Sequence, residues 1–257
     1  MSHDYTHIHY QTDGAVATLT LNTPPLNILD IALMREMIEA LRRAESDSAV
    51  TTLVFRGAGD KAFSAGASIP EHAPDRVREM LTTFHDVFRA LAQSALVTVA
   101  GVHGLCLGGG CELAVMCDFV VAEETAKFGV PEIKLGCFPP VAAALFPSLI
   151  GRKHAERLMF TGEIIRADEA RTLGLITHLA PAGAIAAETA ALVNQLTDKS
   201  TAVLRLLRRS EPGWREEFLR NLERAERVFL EELIQLKDMQ EGLTAYSEKR
   251  PPVWRNQ

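Results

Sequence analysis

The chain has 257 residues, 47% of them hydrophobic and 23% charged, with a formal net charge of −6 at pH 7. Such proportions exclude extensive disorder, and the acidic balance gives no general attraction to nucleic-acid phosphates. The length allows a sizeable core, and no uninterrupted apolar run approaches the roughly 18 residues that span a bilayer. The amino-terminal stretch MSHDYTHIHY lacks the basic and apolar segments of a secretory leader, so a cytoplasmic protein without membrane or nucleic-acid partners is expected.

Strands open the chain. Residues 5–10 and 16–21 alternate apolar or β-branched with polar residues about Asp13-Gly14, the pattern of a hairpin. Asn22-Thr23-Pro24-Pro25 interrupts it, and Asp30 is placed to cap a helix over 31–45 whose inner face carries Leu33, Met37, Ile38 and Leu41. A strand follows over 51–56, then a turn at 57–60 and a small-residue segment, 63–68, without regular pattern. Over 74–93 apolar residues recur at helical spacing, among them Val77, Met80, Leu81, Phe84 and Phe88. Strand patterns return at 96–102 and 118–122. The succession predicts an α/β fold of repeated β-β-α units, with helices on the sheet faces and loops converging at the strand ends.

Beyond Gly136 helical patterns dominate, at 141–150, 153–160, 167–173, 182–196, 201–209 and 214–236, with no clear strand after 177–179. A boundary near Lys199 divides a core over 1–198 from a helical region over 199–257. That region is too thin to bury itself and is expected to pack on the core or on another subunit, and the uneven apolar stripe of its longest helix suggests a partner.

The chemistry concentrates between residues 101 and 136. A strongly apolar strand runs into Gly108-Gly109-Gly110 at the start of a helix, where the absence of side chains lets a ligand approach the backbone. The first amides of a helix have no internal partners and carry partial positive charge, which makes this a candidate oxyanion hole. Glycines alone serve a tight helix–strand crossing equally well. Glu112 falls in the same first turn, embedded in Cys111-Glu112-Leu113-Ala114-Val115-Met116-Cys117, and Glu132 follows Pro131 among apolar residues. A buried carboxyl tends toward a raised pKa suited to proton transfer near neutrality, and two of them could hold one water between base and acid; ordinary solvated glutamates are the simpler account of either one alone.

Other chemistries find less support. Ser64 and Ser68 lie in no nucleophile elbow, and His72, His85, His103 and His154 show no metal-ligand spacing. Cys106, Cys111, Cys117 and Cys137 match neither a zinc motif nor a disulfide framework and read as small buried hydrophobes. No phosphate-binding loop or dinucleotide fingerprint is present.

Several segments together resemble the enoyl-CoA hydratase/isomerase, or crotonase, superfamily over nearly the whole length: Ala62-Phe63-Ser64-Ala65-Gly66-Ala67, residues 104–114, residues 128–136, Thr161-Gly162 with Gly174-Leu175, and Glu241-Gly242 with Glu248-Lys249-Arg250. The resemblance implies a crotonase-like spiral of β-β-α units with a C-terminal helical region that builds trimers or dimers of trimers. It implies an acyl-CoA thioester substrate and no separate cofactor, coenzyme A being part of the substrate. By motif position the amides of Ala67 and Gly109 would bind the thioester oxygen, and Glu112 and Glu132 would be the catalytic pair. Acyl-CoA contacts would come from Leu26, Ala65, Gly66, Ser68, Gly108, Pro140 and Val141, with Lys249 reaching in from a neighbour.

The sequence also departs from the common hydratase pattern. Pro139-Pro140-Val141-Ala142-Ala143-Ala144 replaces the usual Pro-Gly-x-Gly-Gly-Thr run, and Ser68 replaces an aspartate, so the acyl pocket should differ in shape. With Asn27-Ile28-Leu29-Asp30, Glu71-His72-Ala73-Pro74-Asp75 and His85, these features are similar to cyclohexa-1,5-diene-1-carbonyl-CoA hydratases, which add water to a conjugated cyclic thioester. Linear enoyl-CoA hydration or isomerisation is the alternative, and a non-catalytic acyl-CoA or RNA-binding member a more distant one. For RNA, Arg205, Arg208, Arg209 and Arg215 form only a modest cluster, offset by Glu211, Glu216 and Glu217.

Overall fold

The hairpin forms as expected: β1 (Ile8–Asp13) and β2 (Val16–Leu21) pair antiparallel, turning through Gly14 at φ 53°. The structure is a computed structural model that describes residues 5–211 and 213–257; the first four residues of the amino-terminal stretch read above fall outside the described residues. Helix α1 (Ile31–Ser46) begins where Asp30 accepts a hydrogen bond from the Leu33 amide at 2.8 Å, and buries Leu33, Met37, Ile38 and Leu41.

Three units then repeat one plan. β3 (Thr52–Gly57), β4 (Ala62–Ser64) and α2 (Val77–Gln93) form the first. β5 (Val97–Val102), β6 (Leu105–Leu107) and α3 (Gly109–Met116) form the second, and β7 (Phe119–Glu123), β8 (Lys127–Gly129) and α4 (Pro140–Ile150) the third. The chain continues through α5 (Arg152–Thr161), β9 (Ile164–Arg166), α6 (Ala167–Leu173), β10 (His178–Ala180), α7 (Ile185–Thr197), α8 (Thr201–Ser210), α9 (Trp214–Glu231) and α10 (Lys237–Ser247). The first strand of each unit enters a six-stranded sheet of order β1-β2-β3-β5-β7-β10, and the second enters a four-stranded sheet of order β4-β6-β8-β9. Pairing is parallel except for β1 with β2 and β8 with β9.

The six-stranded sheet is covered on both faces, which is why β5 is buried at every position and lacks a polar alternation. Val54, Val99 and Val121 meet Leu192 and Val193 of α7 on one side, while Leu53, Phe55, Ala100 and Val120 join the main core on the other. That core takes in Phe218, Leu222 and Phe229 of α9. His85 of α2, with no exposed surface, hydrogen-bonds through Nδ1 to Glu226 of α9, and Arg89 reaches the same carboxylate at 2.7 Å. Helix α8 is tied down by the buried Arg208, which pairs with Asp118 at 2.8 Å and donates to the Leu96 carbonyl at 3.2 Å. Arg205 donates to the Val50 carbonyl at 2.7 Å, and Arg215 pairs with the exposed Glu211 at 2.8 Å.

Several sequence expectations change. Residues 62–64 form a strand that takes in the start of the segment 63–68 expected to be irregular, and β6, β8 and β9 were not foreseen, because three-residue strands are too short to display a period. The helix expected over 214–236 ends at Glu231; a 3-10 turn at Leu233–Gln235 redirects the chain into α10, and so brings both Leu233 and Met239 into the core. The four cysteines are buried and free. Among the described residues no helix is long and apolar enough to cross a membrane.

Asn27 fastens the loop before α1 to the second sheet. Fully buried at φ 49°, it donates from Nδ2 to the carbonyls of Ala58 at 2.9 Å and Ala62 at 2.8 Å, and its Oδ1 accepts from the Thr23 amide at 3.2 Å. Replacing it with alanine leaves two interior carbonyls without donors, so Asn27→Ala is expected to lower unfolding free energy by about 2–4 kcal/mol in urea titration. A loss under about 0.5 kcal/mol, the range of an ordinary surface substitution, would show that the carbonyls find other donors.

Candidate active site

The segment 64–68 is shaped by backbone pairing with residues 26–29. The Ala65 amide donates to the Leu26 carbonyl at 2.9 Å, Leu29 donates to the Gly66 carbonyl at 2.9 Å, and Ser68 donates to the Leu29 carbonyl at 3.1 Å. Ser64 adds a side-chain bond from its hydroxyl to the Asn27 carbonyl at 2.7 Å. In this parallel bridge between Leu29 and Ala67, the Ala67 amide is the group that the pairing skips. Among the described residues it donates to no protein acceptor.

Helix α3 supplies a second such amide. Its first internal bond runs from the Glu112 amide to the Gly108 carbonyl at 3.0 Å, so the Gly109 amide precedes the helical ladder and stays free. The helix start lies hard against 64–68: a Cβ at Gly110 would come within 2.5 Å of the Ser64 carbonyl oxygen, and one at Gly109 would lie 3.4 Å from the Ala67 nitrogen. Two N–H groups without protein acceptors therefore belong to residues that border one cavity. Gly108 makes the bend at φ 52°, and a Cβ there would meet Glu132 Oε1 at 2.7 Å.

Glu112 is 2% exposed, and its Oε1 accepts from the Ala142 amide at 2.6 Å, with the Val141 amide also directed at the carboxylate. These amides belong to the first turn of α4, so the Pro140 helix start orients Glu112 through its unpaired N–H groups. Glu132 sits in a 3-10 turn, Pro131–Leu135, and its Oε2 is buried without a hydrogen-bond partner. Burial raises the pKa of both carboxyls, Glu132 to about 7 and Glu112 well above its usual range, with the nearby Glu132 charge adding to the shift of Glu112 and the α4 amides opposing it. Near neutral pH the pair is thus poised to hold a proton. Burial and the Glu132 charge also push the Cys137 thiol up to about 12.

A cavity of about 90 Å³ collects these groups. Of the positions named from sequence, Glu112, Glu132, Ala67 and Gly109 line it, and so do Ala65, Gly66, Gly108 and Pro140. Leu26, Ser68, Val141 and Lys249 do not. Leu26 and Ser68 act through backbone bonds to the segment, Val141 through its amide to Glu112, and Lys249 lies past the end of α10 at φ 54°. The sequence reading missed the apolar walls, Phe84 of α2 and Phe229 of α9 among them, and also His72. Both phenylalanines sit on stripes that read as ordinary core, and nothing in their spacing sets them apart.

Known proteins share this fold. The family model described as enoyl-CoA hydratase/isomerase matches residues 11–257. A cyclohexa-1,5-dienecarbonyl-CoA hydratase of Thauera aromatica is 35% identical, covering 96% of this chain and 95% of its own. A probable enoyl-CoA hydratase of Rhizobium meliloti (strain 1021) is also 35% identical, covering 93% and 94%. The crystal structure of an enoyl-CoA hydratase from Mycobacterium avium subsp. paratuberculosis K-10 superposes with a TM-score of 0.87 at 27% identity, over 98% of this chain and 100% of that one. A spiral of β-β-α units, a C-terminal helical layer and a match over nearly all residues lead to one conclusion: the chain belongs to the enoyl-CoA hydratase/isomerase family, and its fold is the crotonase fold.

Proposed function

We propose that the protein is a hydro-lyase that adds water to a conjugated enoyl-CoA thioester. The observation that carries this reading is the meeting of the buried Glu112 carboxyl, the Glu132 carboxyl with its buried Oε2, and two free backbone amides in one apolar-walled cavity. The thioester oxygen lies between the Ala67 and Gly109 amides, which stabilise it as it gains charge. Glu112, held by the α4 amides, removes a proton from water; the resulting oxygen bonds to the electron-poor carbon, and the π electrons move toward the thioester oxygen. Glu132, whose Oε2 has no donor of its own, delivers a proton to the substrate carbon as the carbonyl re-forms.

For the acyl group we favour a cyclic diene, as in cyclohexa-1,5-diene-1-carbonyl-CoA, giving 6-hydroxycyclohex-1-ene-1-carbonyl-CoA by 1,4-addition. Its supports are the likeness to the Thauera hydratase and the Pro140 start of α4, which takes the place of a glycine-rich turn beside Glu112. The equal identity to the Rhizobium relative keeps a linear enoyl-CoA as the second reading. Spectroscopic turnover on both thioesters decides: faster hydration of the cyclic compound is expected, and a preference for crotonyl-CoA would refute the cyclic assignment.

The variants Glu112→Gln and Glu132→Gln should each lower turnover by about a hundredfold or more with acyl-CoA binding largely kept. Near-normal activity in either would remove that residue from the mechanism.

The reaction also has a predicted pH limb. With Glu132 as the acid and its pKa raised to about 7, the active form persists below that value and is lost as pH rises through it. The kcat/KM profile is therefore expected to fall about tenfold per pH unit above pH 7. A limb near 7 that rises with pH instead would mean that ionisation of a carboxylate base, Glu112 or Glu132, limits the rate.

A further inference from the structure

The catalytic cavity stops short of a second, larger space. A groove of about 820 Å³ lies between residues 69–77 and α10, against about 90 Å³ for the cavity, and Ile69 and His72 are the two described residues that border both. Both belong to one short element, the 3-10 turn Pro70–His72 with Ile69 at its head. That turn is anchored. The Ser68 amide donates to the Leu29 carbonyl at 3.1 Å, the His72 amide donates to the Ile69 carbonyl at 3.0 Å, and His72 Nδ1 lies 2.9 Å from the Ser68 carbonyl oxygen. Glu71 accepts from the Ile31 amide at the start of α1 at 2.9 Å and pairs with Arg76 at 3.1 Å. A wall tied to α1 and to its own turn resists a lengthening ligand more than a free loop would.

Ile69 is the hydrocarbon part of this wall, and the groove behind it has apolar banks of its own, Pro70, Pro74 and Val77 on one side and Met239 and Leu243 on the other. In the proposed reaction the CoA arm lies on the Leu26 and Ala65 side of the Ala67 amide, which leaves the Ile69 side to the acyl group. Extra methylenes gain free energy only where apolar space receives them, and at the intact wall they meet a side chain instead. We propose that Ile69 is a specificity-determining residue that confines the acyl group to the cavity, admitting compact acyl groups, cyclic or short linear, and excluding chains long enough to enter the groove. The inference rests on the acyl-CoA reading of the site but not on which bond the enzyme makes.

The test uses two saturated thioesters that cannot be hydrated, butyryl-CoA and decanoyl-CoA, titrated calorimetrically into the full chain. The unsubstituted protein is expected to bind decanoyl-CoA no more tightly than butyryl-CoA. In Ile69→Ala the decanoyl compound should gain about tenfold or more over the butyryl compound, because several methylenes then cross into the groove. Ile69→Val, one methyl smaller than isoleucine, should move the ratio the same way by a lesser step. Dissociation constants are read from folded molecules alone, so a variant that folds incompletely does not imitate a change of ratio. Adding Thr244→Trp, at an exposed α10 position on the groove, to Ile69→Ala should return the ratio toward its original value. A ratio that the Ile69 variants leave unchanged, or a gain that Thr244→Trp leaves intact, would overturn the assignment, as would a marked preference of the unsubstituted protein for decanoyl-CoA. A parallel change for both thioesters would put the CoA arm at Ile69 and overturn it too. Binding of neither thioester by the unsubstituted protein would instead refute the acyl-CoA reading, which keeps the two failures apart.

Discussion

The site depends on a pairing between two stretches of backbone that leaves one group over. Residues 26–29 bond to 65–68 on both sides of Ala67, so the Ala67 amide is held rigidly without being used. An N–H without an acceptor is unfavourable in a resting protein, and it persists here because the amides on either side of it are paired. The same economy operates at α3, where the Gly109 amide is free simply because a helix begins there. In the proposed reaction neither donor would need to reorganise as charge develops in front of it.

The carboxyls are governed by the opposite pressure. Water is excluded from Glu112 and from Oε2 of Glu132, which penalises charge on both, and their proximity penalises charging the two together. The α4 amides relieve part of that cost at Glu112 alone. An asymmetric pair results, in which identical side chains acquire different proton affinities from their surroundings.

How much of this was legible in the sequence differs by scale. β2, α1 with its Asp30 cap, and α2 follow from period and capping residues, because one face of each is buried and the other is not, whereas β5 shows as an unbroken apolar run. The second sheet was illegible: its strands are three residues long and Ala62–Ser64 is buried throughout, so no alternation exists to be read. At the site, Glu112 and Glu132 stood out as carboxyls among apolar residues, and Ala67 was reachable only through family likeness. The walls could not be read at all. Phe84 and Phe229 are apolar residues on apolar stripes, and their place at the cavity is a property of how α2 and α9 meet.

That meeting has a consequence for how the protein comes into being. The contact between His85 and Glu226 joins residues 141 positions apart, and Phe84 and Phe229 flank it on the same two helices. Closing so long a loop is entropically late, after the locally connected β-β-α turns have formed. A chain still emerging from synthesis can therefore possess the folded spiral, both free amides and both glutamates while its pocket lacks a wall. The apolar wall that Phe229 gives the cavity is complete only once α9 has docked on α2.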